Sequence, residues 1–190
     1  GIIHNGELWY EHPEKYSDSD NYIFFNLEAL LSGRKFIFDS LGKFKSAIIL
    51  GCADGRELDL INADRKIGVD KNEAAIEKAK KRSKYTYVVS DILSVFGEYE
   101  LATMLRVAGG SQVDTNQAIN KSLNLSRDIG VISIAIAGIM PDGSIKQYGY
   151  ALNGRTNMKD YINYCRRLIK INGRKFDEIK TPFEYYFICK

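Results

Sequence analysis

The segment Gly51-Cys52-Ala53-Asp54-Gly55 follows directly on an apolar run, Ala47-Ile48-Ile49-Leu50. Glycines at such a turn let the main chain approach a ligand, and the N–H groups opening a following helix are free to receive one. Alone, the pattern is generic. Two carboxylates narrow it by their position. Asp70 ends the stretch Lys66-Ile67-Gly68-Val69, 19 residues beyond Gly51, near the offset of about 20 at which an acidic side chain accepts from both hydroxyls of an adenosine ribose. Asp91 follows a third such stretch, 85–89, where a side chain can reach an adenine edge. An aspartate after a strand is often only a helix cap, but a glycine turn and two aspartates in this order are seldom accidental.

Other reactive residue types are sparse. Cys52, Cys165 and Cys189 form no close pair and neither His4 nor His12 has a cysteine near it, so no disulfide framework and no metal centre is expected. Cys52 reads as a small apolar filler, because a nucleophilic thiol needs a base beside it. Ahead of the turn, Trp9-Tyr10-Glu11-His12-Pro13-Glu14-Lys15-Tyr16 is aromatic and polar. Tyr10 is a candidate substrate contact there, and His12 and Tyr16 are candidate catalytic groups; a near-neutral pKa suits His12 to general-base work. An N-terminal arm packing its rings on the surface accounts for the same residues. The long segment 138–156 brings Tyr148 and Tyr150 as candidate substrate contacts, and its Asp142-Gly143 is a usable hairpin turn. Lys78, Lys80, Lys81, Arg82 and Lys84 form a basic run. It reads as the solvated face of a helix, with Glu77 and Lys81 paired one turn apart, and as an RNA patch in second place.

The elements that must position these groups follow from periodicity. Ser17-Asp18-Ser19-Asp20 suits a helix N-cap, and Ile23, Phe24, Leu27, Leu30 and Leu31 give a helix over about 20–32, resuming after Gly33. Strands are expected at 47–50, 66–70, 85–89, 100–105 and 131–137. Helices are expected at 72–83, 114–127 and 157–170, and another opens at the glycine turn. Alternating strands and helices imply a doubly wound α/β sheet. The tail differs: 174–180 and 183–189 flank Thr181-Pro182 with no room for a crossover helix, so they pair antiparallel.

Bulk properties bound the function. A chain of 190 residues is expected to be one domain over 1–190, with 1–19 as an arm or lid and 138–156 as an inserted loop. Net charge is +3, too small to demand nucleic acid as a partner and too basic to exclude it. The longest apolar run, 131–140, is half the length of a membrane-spanning helix, and the start lacks a basic segment followed by an apolar one. A soluble, cytoplasmic protein with no membrane partner is expected.

Over roughly residues 20–190 the chain resembles the class I S-adenosylmethionine-dependent methyltransferases. Residues 48–58, Ile-Ile-Leu-Gly-Cys-Ala-Asp-Gly-Arg-Glu-Leu, are similar to the family's first motif, 67–70 (Ile-Gly-Val-Asp) to its second and 88–93 (Val-Val-Ser-Asp-Ile-Leu) to its third. Residues 99–104 stand at its fourth strand, and 126–130 resemble the turn into its fifth. The resemblance implies a Rossmann-like, doubly wound, seven-stranded sheet, mostly parallel with a C-terminal antiparallel hairpin. It implies S-adenosyl-L-methionine as cofactor, with Gly51, Cys52, Ala53, Asp54 and Gly55 around its methionine part. Asp70 would lie at the ribose, Asp91 and Ile92 at the adenine, and Leu105 and Arg106 beside the transferred methyl, with Lys71 also among the cofactor-binding residues. Two positions depart from the pattern. Ile49 stands where the family has an acidic residue, leaving Asp54 to supply that charge, and Ala53 replaces a glycine although its methyl group disfavours positive φ. The segment after the fourth strand, Thr103-Met104-Leu105-Arg106-Val107-Ala108, carries neither the Asn-Pro-Pro-Tyr of amino-methylating DNA enzymes nor the Pro-Cys of cytosine-C5 enzymes. The implied activity is methyl transfer to an oxygen or nitrogen of a small molecule. An RNA methyltransferase, or a relative that binds the cofactor without transferring methyl, are the alternatives.

Overall fold

Twelve residues separate the first long strand, Phe44–Leu50, from its parallel neighbour Ala63–Asp70, about the minimum for a crossover. The computed structural model describes residues 3–4, 7–8, 22–110, 112–139 and 144–190. Seven strands form its main sheet: β1 (Phe44–Leu50), β2 (Ala63–Asp70), β3 (Thr86–Val89), β4 (Tyr99–Leu105), β5 (Ser126–Ala135), β6 (Phe176–Lys180) and β7 (Glu184–Cys189). Their order is β6-β7-β5-β4-β1-β2-β3; β7 is antiparallel to both β5 and β6, and every other pair is parallel. The expected doubly wound sheet and terminal hairpin are both present.

Helix α1 (Tyr22–Leu41) runs through Gly33 without the expected break. A mid-helix glycine costs only about 1 kcal/mol against alanine, and the burial of Ile37 and Phe38 farther along outweighs it. α2 (Glu73–Arg82) starts at Asn72, whose side chain accepts from Ala75 N, and buries Ala75, Ile76 and Ala79. α3 (Thr115–Leu125) is capped by Asp114, and α4 (Met158–Ile171) by Asn157. α1 and α2 cover one sheet face, with Ile37 and Ile76 over Ile49, Leu101 and Tyr186. α3 and α4 cover the other, with Ile119 and Tyr161 over Ile48, Met104 and Phe187.

Three further expectations are corrected. No α-helix follows the glycine turn, because the short crossover leaves room only for a 3-10 turn, Arg56–Leu60. Residues 126–130 are not a turn but the start of β5, where Ser126 pairs with Tyr99. On α2, Glu77 bonds Lys80 at 3.4 Å, not Lys81. After β5, Ala137–Ile139 pairs antiparallel with Ile145–Gln147, as a hairpin requires; the expected turn Asp142-Gly143 and the cap at 17–20 lie outside the described residues. No helix among the described residues is long and apolar enough to cross a membrane.

Candidate functional site

Strand order reverses between β1 and β4, and in open α/β sheets ligands bind beyond the carboxyl ends of the strands at that switch. The 51–55 loop lies there. Gly51 N and Cys52 N both donate to Val69 O, at 2.8 and 2.9 Å, which folds the loop over the end of β2. Ala53 N then donates to Asp70 Oδ2, and Asn72 N to Asp70 Oδ1, both at 2.9 Å. One half-buried carboxylate thus fixes the glycine loop and the entry to α2 together. It also holds Ala53 at φ 49, so the methyl group that disfavours this conformation does not prevent it. Its cost is on the order of 1 kcal/mol.

The glycines answer to packing. A Cβ on Gly51 would sit 2.5 Å from Val107 Cγ2, and one on Gly55 2.5 Å from Tyr87 Oη; both have positive φ. Cys52 is fully buried, and burial, then the nearby Glu57 carboxylate, push its thiol pKa up, so it is the filler expected and no nucleophile. Asp54 does not stand free: its Oδ2 accepts from Arg56 Nε at 2.9 Å. Ile49 is fully buried. Asp91 is exposed and caps a 3-10 turn, Ile92–Ser94, accepting from Leu93 N at 2.8 Å; Ile92 is buried behind it. Lys71 is exposed.

Beside the loop, on the β4, β5 and β7 side, lies a buried charge network that no local sequence pattern announces. Arg34 of α1 donates from Nε (3.0 Å) and Nη2 (3.3 Å) to the two carboxylate oxygens of Glu184, at the start of β7. Ser133 Oγ and Tyr186 Oη also donate to Glu184, at 2.5 and 2.6 Å. Arg106 Nε stands 3.7 Å from Glu184, while its Nη2 donates to Ala137 O (3.1 Å) and Phe183 O (3.4 Å). The guanidinium of Arg106 therefore turns toward β5 and β7, leaving its backbone, at φ 58, at the end of β4 beside buried Leu105. Glu57, on the turn after the glycine loop, is 4.0 Å from Arg34 Nη1. Burial would raise Glu184, but Arg34 and Arg106 hold it below the usual carboxylate range. Burial pushes Glu57 up to about 7, against the pull of the more distant Arg34 and of a backbone hydrogen bond. The one sequence signal for this network is a charge heading an otherwise apolar strand, Glu184-Tyr185-Tyr186-Phe187-Ile188-Cys189.

Tyr148 is half-buried, with its N donating to Ile136 O at 2.8 Å, and Tyr150 is exposed. The neighbouring Leu152 N donates to Gly109 O at 2.8 Å, which places this segment against the loop after β4. Tyr10, His12 and Tyr16 lie outside the described residues.

No protein-family model matches the sequence, and no curated protein matches it. Solved structures do. The N-methyltransferase NodS of Bradyrhizobium japonicum WM9, in complex with S-adenosyl-L-homocysteine, superimposes with a TM-score of 0.67 at 14% identity, over 96% of this chain and 98% of its own. The chain has the class I S-adenosylmethionine-dependent methyltransferase fold. The same methyltransferase fold relates it to DhpI in complex with S-adenosyl-L-homocysteine (TM-score 0.63, 11% identity, 96% of this chain and 93% of that one). Magnesium protoporphyrin IX methyltransferase of Synechocystis PCC 6803 with the same ligand gives 0.60 at 17% identity, over 89% and 83%.

Proposed function

We propose that this chain is a methyltransferase that takes its methyl group from S-adenosyl-L-methionine and delivers it to an oxygen or nitrogen of a small molecule. The observation that carries this reading is Asp70. Each of its carboxylate oxygens accepts one backbone N–H, and a carboxylate has about four acceptor positions, so each oxygen retains one for a ribose hydroxyl. Asp91 and Ile92 stand at the neighbouring strand end for the adenine, the 51–55 loop for the methionine part, and Leu105 and Arg106 for the side of the transferred methyl. When bound, the cofactor supplies an electrophilic methyl on a sulfonium sulfur, and transfer depends chiefly on aligning the acceptor with it.

The acceptor side is assigned to Tyr148 and Tyr150 of the 138–156 loop and to Tyr10 of the N-terminal segment, with His12 and Tyr16 to orient or deprotonate the acceptor. A small-molecule acceptor is favoured over RNA because the basic run is partly neutralised: Lys80 pairs with Glu77 and Arg82 with Asp59, the latter at 2.7 Å.

Calorimetry with S-adenosyl-L-homocysteine tests the reading. Wild type should bind, and Asp70→Ala should bind at least about tenfold more weakly, the loss expected from one charge-assisted hydrogen bond or more. Equal binding by the two proteins, or none by wild type, overturns it.

A further inference from the structure

One member of the basic run 78–84 turns back toward the glycine loop. Arg82, the last residue of α2, donates from Nε to Asp54 O at 3.2 Å and from Nη1 to Asp59 Oδ2 at 2.7 Å, on the 3-10 turn after the loop. Gly55 N donates to Cys52 O at 2.8 Å, so the peptide joining Asp54 to Gly55 is held at both its oxygen and its N–H. A peptide unit is planar, and holding both groups fixes its orientation. Without that hold little resists a flip of the plane, because Gly55, at φ 79, has no side chain. The ring of Tyr87 packs against the same loop: a Cβ on Gly55 would stand 2.5 Å from Tyr87 Oη, and that hydroxyl bonds Ser83 Oγ at 2.5 Å, one residue after Arg82. Both ends of α2 are thus tied to the loop, the start through Asp70 and the end through Arg82.

We propose that Arg82 is a positioning residue for the cofactor: it pins the Asp54–Gly55 peptide, so that the 51–55 loop is already shaped for the methionine part. The inference rests on the function proposed above. Arg82 acts through the loop, since its two hydrogen bonds end on the loop and on the turn after it. A loop ordered beforehand loses less conformational freedom when a ligand arrives, and that saving appears as affinity. Arginine suits the task because its donors point in different directions from one rigid plane, so the bond to Asp59 aims Nε at Asp54 O. The pair contributes little to global stability, because the side chains of Arg82 and Asp59 are 30% and 46% exposed. The effect is therefore selective. Removing Arg82 weakens the hold on the methionine part and leaves the ribose and adenine contacts assigned to Asp70, Asp91 and Ile92.

Two ligands separate this role from a general one. S-adenosyl-L-homocysteine carries the amino-acid end, and 5′-methylthioadenosine keeps adenine, ribose and sulfur without it. Arg82→Ala should bind the first about fivefold more weakly than wild type, the loss expected from one hydrogen bond, and the second equally well, with a melting temperature near that of wild type. Calorimetry reads the first and ligand-observed NMR the second. Both are run in about 0.5 M salt, where a Debye length of roughly 4 Å screens any direct pull of the arginine charge on the ligand carboxylate. Without ligand, amide hydrogen exchange at Gly55 should be faster in Arg82→Ala and unchanged in the central strands. Wild type that binds neither ligand overturns the methyltransferase reading and this inference with it. Where wild type binds S-adenosyl-L-homocysteine, equal binding by Arg82→Ala, a parallel loss of both ligands, or unchanged exchange at Gly55 overturns the role of Arg82 alone.

Discussion

Arg34 and Glu184, 150 residues apart in the chain, meet in a buried two-point ion pair that joins α1 to the first residue of β7. Removing one partner leaves the other charged and buried, a loss of about 3–5 kcal/mol. Arg34→Met should lower the unfolding free energy by that amount in urea. Arg34→Met combined with Glu184→Gln should cost less than the sum of the two single changes, and strict additivity would show that the pair is not coupled.

Glu57 makes stability depend on pH. Its folded pKa is raised from 4.5 to about 7, first by burial and against the pull of Arg34. The folded chain binds this proton more tightly than the unfolded chain. The contribution is therefore full below 4.5 and is lost as pH rises through 7. The loss across that window is on the order of 3 kcal/mol. Glu57→Gln should remove it, seen as a flatter plot of unfolding free energy against pH. Glu184 acts in the opposite window: its pKa is lowered, so its contribution is present above the ordinary carboxylate range and lost at acid pH.

Ala53 is held at φ 49 by the hydrogen bond from its N–H to Asp70. Glycine adopts that conformation without the steric cost, so Ala53→Gly should raise stability by about 0.5–1 kcal/mol. Under the proposed function it should leave S-adenosyl-L-homocysteine affinity within a fewfold of wild type. A destabilised Ala53→Gly protein would mean that the alanine methyl group makes a contact worth more than its strain.

How far the sequence discloses this arrangement depends on range. Strands such as 47–50 are legible because four consecutive apolar residues can be buried on both faces, and Ala47, Ile48, Ile49 and Leu50 are all 0% exposed. α2 is legible because Asn72 caps it and Ala75, Ile76 and Ala79 recur on one face. The Asp70 position is legible because a fixed number of residues carries the chain from one strand end to the next. The length of a crossover helix is not: the same glycine turn precedes a long helix or a 3-10 turn, and the number of residues before β2 decides between them. The charge network is farther from reach. Glu184 stands out at the head of an apolar strand, but no periodicity ties it to Arg34 on α1 or to Arg106 after β4. Only the folded sheet brings them together.

Gly51 offers a test of whether the loop's glycines serve packing. At φ +73, a Cβ would stand 2.5 Å from Val107 Cγ2 but 3.9 Å from Val107 Cβ. Gly51→Ala therefore carries two costs, backbone strain of about 1 kcal/mol and an overlap costing about 1–3 kcal/mol. Trimming Val107 to alanine removes the methyl group that overlaps and leaves the strain. In a double-mutant cycle, Gly51→Ala with Val107→Ala should be more stable than the two single changes predict by at least about 1 kcal/mol, the size expected for directly contacting residues. If the cycle closes with no coupling, the loop relaxes away from Val107, and this glycine is required by backbone conformation alone.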